Sequence, residues 1–160
     1  IFLADHTWVD GTIDAARLTI ATGQFPFTES TSRDIIVNNN LRYTHSDGRD
    51  VIGLIAQGYF RVGFKSADDL VINAAIIATK GGLVRNFYTS ACGPEYLRSK
   101  LTITGAQASN FGGYFYHKQP ADSGYVKQIT NYDSNLLYYP PPFFPLASNI
   151  YTTLSWEEVE

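Results

Sequence analysis

Methionine is absent from the chain and cysteine occurs once, at Cys92, so no internal disulfide can form and stability has to come from packing. Charge is sparse: Lys, Arg, Asp and Glu make up 17% of the residues and the net charge is -3. That balance offers no basic field to a nucleic-acid backbone, and DNA binding is not expected from it. No apolar run approaches the roughly 18 residues of a membrane-spanning helix, and no charged segment leading into an apolar one opens the chain. The missing methionine and the strand-like start Ile1-Phe2-Leu3-Ala4 lead to the expectation of a fragment or processed chain. Any membrane contact would then come only through an N-terminal anchor or export signal outside it. Phosphate-cradling loops are lacking too: Gly81-Gly82 and Gly112-Gly113 are followed by no Lys-Ser/Thr and fit no GxGxxG frame, so no nucleotide partner is expected.

What is present is apolar and rich in β-formers. With 160 residues, 44% hydrophobic and 14% aromatic, the chain has enough apolar surface for one folded domain. Aliphatic runs return as Leu18-Thr19-Ile20-Ala21-Thr22, Ile35-Ile36-Val37-Asn38-Asn39, Leu54-Ile55-Ala56-Gln57-Gly58, Leu70-Val71-Ile72-Asn73-Ala74 and Leu101-Thr102-Ile103-Thr104-Gly105. Their starts are nearly evenly spaced except for the last interval, which is about twice as long and points to an inserted, projecting loop over 80–100. Short second strands follow several runs: Leu41-Arg42-Tyr43-Thr44, Tyr59-Phe60-Arg61-Val62 and Ala75-Ile76-Ile77-Ala78. A strand, corner, strand unit of this size cannot enclose a core alone, but stacked copies bury a continuous column. The pattern predicts an all-β, single-domain β-solenoid (β-helix) of about five rungs over 1–113, with a C-terminal aromatic and proline strap or cap over 114–160. The alternative is a β-sandwich, whose strands also recur with turn signals. Small residues after the aliphatic pairs (Ala21, Asn39, Gly58, Ala74, Gly105) favour the stacked corners of a solenoid, and Asn38-Asn39-Asn40 suits corner backbone groups. Central positions Ile20, Val37, Ile55, Ile72 and Ile103 are expected in the core. The strap is read from Tyr138-Tyr139-Pro140-Pro141-Pro142-Phe143-Phe144-Pro145, which cannot continue a ladder.

Chemistry-bearing residues are scattered. His6, His45 and His117 show no metal-ligand spacing, and Ala91-Cys92-Gly93-Pro94 reads as a turn with no base beside the thiol. Asp47, Asp50, Asp68 and Asp69 are the carboxylates that stacking would bring to one edge, where calcium is the cation they would suit, although the glycine-aspartate repeat of calcium-binding β-rolls is missing. Arg61, Lys65 and Asp68 form the one compact group that resembles the base and cation of a uronate lyase. No cofactor is expected, and no catalytic residue. The aromatics Phe87, Tyr88 and Tyr96, in the 80–100 segment, are the candidate binding residues.

The ordered set Gly11-Thr12-Ile13, Leu18-Thr19-Ile20-Ala21, Asp34-Ile35-Ile36-Val37, Asp50-Val51-Ile52-Gly53-Leu54-Ile55-Ala56, Leu70 to Ala78, Leu101 to Gly105, Gly124-Tyr125, Tyr132-Asp133 with Leu136, and Pro141-Pro142-Phe143-Phe144-Pro145 resembles the extracellular region of bacterial PilX-like, type IV pilus-associated proteins. That group includes competence-related minor pilins with a β-solenoid domain, and the resemblance spans roughly residues 5 to 156. It implies an extracellular, cell-surface domain acting in pilus assembly, adhesion or ligand capture. The implied partners are pilus or cell-surface proteins, or a glycan. The resemblance carries over no catalytic residue, so the expected function is non-enzymatic, with a polysaccharide-active β-helix lyase or hydrolase as the alternative.

Overall fold

The computed structural model describes residues 1–145 of the chain. Strands dominate it: β1 (Phe2–Leu3), β2 (Thr7–Trp8), β3 (Gly11–Ile13), β4 (Arg17–Thr22), β5 (Ile35–Val37), β6 (Leu41–Tyr43) and β7 (Val51–Ala56) fill the first part. They are followed by β8 (Phe60–Val62), β9 (Asp69–Ala78), β10 (Leu83–Arg85), β11 (Leu97–Ser109), β12 (Tyr116–His117) and β13 (Ser123–Tyr132). Among the described residues helix is confined to single 3-10 turns, as β-branched and aromatic runs broken by glycine would dictate.

Pairing is parallel throughout, except where β12 runs antiparallel to β13. The alternating antiparallel pairing of a sandwich is therefore not the arrangement adopted. The chain visits three ladders in rotation. β1, β4, β7 and the second half of β9 form one; β2, β5, β8 and β10 the next; β3, β6 and the first half of β9 the third, extended by β11 and β13. In the long central strands apolar residues run nearly unbroken, which suits parallel strands covered on both faces.

Register places the core. Ile20 lies opposite Leu54, and Leu54 opposite Ile76. Ile35, Phe60 and Leu83 align in the second ladder, and Leu41, Ile72 and Ile103 in the third. These columns meet in one hydrophobic cluster, with Ile20 partly buried at its margin. Val37, Ile72 and Ile103 are buried as expected, but Ile55 is not a core residue. Its neighbours Leu54 and Ala56 face inward, and strand alternation turns Ile55 to the outer face. The sequence alignment of the Leu54 run with the Leu70 run slips for the same reason, because Leu54 pairs with Ile76.

Two further expectations are corrected. The 80–100 segment is not one projecting loop: it contains β10, whose Leu83, Val84 and Arg85 are all buried, and the start of β11. Only residues 86–96 leave the ladders. Nor does the strand pattern stop at 113, since β13 pairs with β11 from Gly124 to Tyr132. The strap proper begins later and lies across the outer face of β4 and β7. There Arg17 Nη2 donates to the Pro140 carbonyl at 2.6 Å and the Thr19 hydroxyl donates to the Pro142 carbonyl. Residues 146–160 of the expected strap lie outside the described residues.

Small residues do mark one corner. Gly105 pairs with Ala74, where β9 and β11 bend from the third ladder into the first. Gly105 has φ +153°, and an added Cβ would sit 1.9 Å from the Ala74 carbonyl oxygen. Only glycine fits there. Ala21 aligns instead with Ile55, outside that corner. Of the asparagine triplet, Asn40 Oδ1 accepts from the Val71 amide at 2.8 Å, which is the corner role foreseen.

Candidate functional site

On the outer face of the second ladder, Trp8, Ile36 and Arg61 occupy one register row, because Ile35 and Phe60 beside them point into the core. The row forms one wall of a cleft of about 350 Å³, closed on the other side by Lys65, Asn86 and Tyr88. Trp8 is 65% exposed.

Arg61 is held from three directions. Its Nε donates to Asp34 Oδ2 at 2.6 Å, its Nη1 donates to Asn86 Oδ1 at 2.9 Å, and the guanidinium carbon lies 4.4 Å from the centre of the Tyr59 ring. Asp34 is fixed in turn by the Tyr59 amide, which donates to Oδ1 at 2.7 Å. Lys65 is exposed and makes no ion pair among the described residues. At the floor, Asn38 Oδ1 is buried without a hydrogen-bond partner among the described residues, over the space left by Gly63, where a Cβ would fall 1.9 Å from that oxygen.

Tyr88 is placed by an unusual buried cation. Arg85 continues the inward column of Val37 and Val62, yet it is fully buried and pairs with no carboxylate among the described residues. Its guanidinium instead donates to the carbonyls of Tyr96 (3.2 Å), Phe64 (3.1 Å) and Glu95 (2.6 Å), tying the far end of the 86–96 excursion back to the ladder it leaves. Burial pulls its pKa below the ordinary arginine value. The Tyr88 ring stands 5.1 Å from the guanidinium and 4.7 Å from the Phe64 ring, and the Tyr88 amide donates to Ser123 Oγ at 3.0 Å.

The three aromatics singled out in the sequence are not brought together. Tyr88 lines the cleft. Phe87 packs edge-on against His117 at 5.7 Å, and Tyr96 borders a separate shallow cleft with Asp68 and Arg98. The lyase-like group splits in the same way: Arg61 and Lys65 share the main cleft, but Asp68 accepts from the Ser99 amide and hydroxyl, at 3.0 and 2.6 Å, in the shallow one. Those bonds hold the Asp68 carboxyl below its usual range. Trp8 and Asn86 were missed. A tryptophan in a short run bounded by Asp5-His6 and Asp10 was the available signal for Trp8.

The carboxylates that stacking was expected to gather are each engaged separately. Asp47 binds the Arg49 guanidinium, Asp69 meets Lys100 Nζ at 2.8 Å, and Asp50 is buried. Burial pushes the Asp50 carboxyl up, but hydrogen bonds from the Ala16 and His45 amides and the His45 ring outweigh it, so its pKa lies below the usual range. No cluster of three or more His, Cys, Asp or Glu suited to a metal ion occurs among the described residues. His6 Nδ1 accepts from the Asp34 amide at 3.0 Å and His117 Nε2 lies 2.8 Å from the Arg85 carbonyl, so both serve the local backbone. Cys92 is exposed, 3.8 Å from the Thr89 hydroxyl. No helix among the described residues is long and apolar enough to cross a membrane. No protein-family model matches the chain, and neither a curated protein nor a solved structure matches it.

Proposed function

We propose that the chain is a non-enzymatic β-solenoid display domain of a pilus-associated or otherwise anchored bacterial surface protein, acting in assembly, adhesion or ligand capture. What carries the reading is the Trp8 to Tyr88 cleft: an exposed indole and fixed polar groups on the outer face of a parallel ladder, with no free carboxylate opposite Arg61 among the described residues to serve as a base. The rotation of the chain through three parallel ladders around one core supports the solenoid, and the ordered resemblance to PilX-like proteins supports the surface location and a partner on the pilus, the cell surface or a glycan. Protease treatment of intact bacteria carrying an epitope-tagged copy should remove the tag. A tag cleaved only after lysis overturns the surface location.

A polysaccharide lyase is the second reading, favoured by Arg61 and Lys65 lying in one cleft. The nearest carboxylate, Asp34, is committed to Arg61 and the Tyr59 amide, which argues against a free base. An unsaturated product formed from uronate polymers and lost in Arg61→Ala would establish it in place of the first.

A further inference from the structure

Several groups in the Trp8 cleft have no structural task that accounts for them. An indole left 65% exposed in a concave site presents a flat apolar platform to solvent. Polar groups line the same cleft. The Asn86 oxygen is used by Arg61, which leaves its amide nitrogen available to donate. Asn38 Oδ1 is an acceptor that is buried and unpartnered among the described residues. Lys65 is a cation without a counter-charge there, and the Arg61 fork, locked by Asp34, Asn86 and the Tyr59 ring, offers its remaining N–H groups at little entropic cost.

A matching ligand needs a flat face of C–H groups, several hydroxyls and a modest negative charge. A pyranose ring with a carboxylate has all three. A single-stranded nucleic acid would also stack on Trp8, but its backbone requires a run of cations. Asp34 already neutralises Arg61, so Lys65 alone is left over, on a chain of net charge -3.

We propose that the cleft between Trp8 and Tyr88 binds a uronate-bearing saccharide. The indole carries the sugar ring, Lys65 supplies the charge opposite the carboxylate, the Arg61 N–H groups left free by Asp34 and Asn86 donate hydrogen bonds to it, and the Asn38 and Asn86 side chains take hydroxyls. This deepens the ligand-capture reading above and rests on it.

The test is calorimetry and indole fluorescence on the purified chain, with a short oligogalacturonate as probe and a cello-oligosaccharide of equal length as the neutral control. The acidic oligomer should bind roughly tenfold or more tightly than the neutral one, and Trp8→Ala and Lys65→Ala should each weaken it by roughly tenfold, the equivalent of one charge-assisted contact. Trp8→Phe should keep most of the affinity. No binding of the acidic oligomer, equal binding of both, or binding indifferent to Trp8→Ala overturns the proposal. If Trp8→Ala changes the circular dichroism, the exposed Lys65→Ala variant decides by the same criterion. Failure here with the tag still removed from intact cells rejects the ligand class alone, whereas a protected tag rejects the surface reading whatever the calorimetry gives.

Discussion

Ile72 and Ile55 stand in similar aliphatic runs, yet Ile72 is wholly buried between Leu41 and Ile103 and Ile55 faces outward, half-covered beside Phe2 and Pro142. Ile72→Ala should therefore cost about 2–5 kcal/mol, the range for cavity-forming core truncations. Ile55→Ala should cost under about 1.5 kcal/mol, because a half-exposed side chain loses only part of its transfer free energy. Urea midpoints at unchanged m-value measure both, and equal losses would mean that the register is wrong. Asp50 calls for a different measurement. Its folded pKa lies below the unfolded one, so its contribution is fully present above the unfolded carboxyl value of about 4 and is lost as pH falls through the folded value. Stability profiles from neutral to acid pH should fall more steeply for the wild type than for Asp50→Asn. Parallel profiles would show that the carboxylate is not linked to folding.

At the scale of the element, the strap depends on one absent side chain. Gly53, opposite Thr19 in the ladder, faces the strap, and a Cβ there would come within 2.7 Å of Pro141 and 2.8 Å of the Phe144 ring. A proline ring cannot yield by a rotamer change, so the strap has to lift. Gly53→Val should raise the rate of limited proteolysis between Tyr138 and Phe144 and cost about 1–3 kcal/mol, as overpacking does, despite the better strand propensity of valine. Unchanged cleavage would mean that the strap does not bind this face. The 86–96 excursion is fastened differently, by carbonyls gathered on buried Arg85, and so a charge deep in the ladder sets where Tyr88 stands.

Across the whole molecule, protection from solvent should follow position in the stack. β7 and β9 are flanked on both sides by long ladders, and β11 lies between β9 and β13. Among the described residues, β13 is covered on its far side only at Ser123 and Gly124, by β12. Amide hydrogen exchange should accordingly be slowest in β7, β9 and β11, and faster along β13 beyond Gly124 and in the two-residue β1 and β2. Uniform protection through β13 would reveal that another segment covers that edge. Such an edge is also the part of the molecule most open to strand addition.

How much of this was legible depends on how local the cause is. Near-continuous Val, Ile and Leu runs broken by glycine dictate strands and exclude long helices, and the even return of those runs carries the stacked, all-β reading, because propensity and apolar content act within a few residues. Burial of Val37, Ile72 and Ile103 follows from the same pattern. The side each strand turns inward is another matter. A one-residue slip exchanges the faces, and only pairing with a distant strand chooses between them, which is why Leu54 and not Ile55 fills the core. β10 was hidden because three residues between glycines and an excursion carry too short a pattern, and its Arg85 reads as a surface charge until the carbonyls of Phe64, Glu95 and Tyr96 converge on it. The cleft lay beyond sequence for the same reason: Trp8, Arg61 and Tyr88 come from separate passages of the chain, parallel register brings Trp8 and Arg61 to one face, and the 86–96 excursion carries Tyr88 to it. Composition and local pattern thus determined that the chain folds into strands around an apolar column. Long-range pairing alone decided which faces of those strands meet the core, the strap and the solvent.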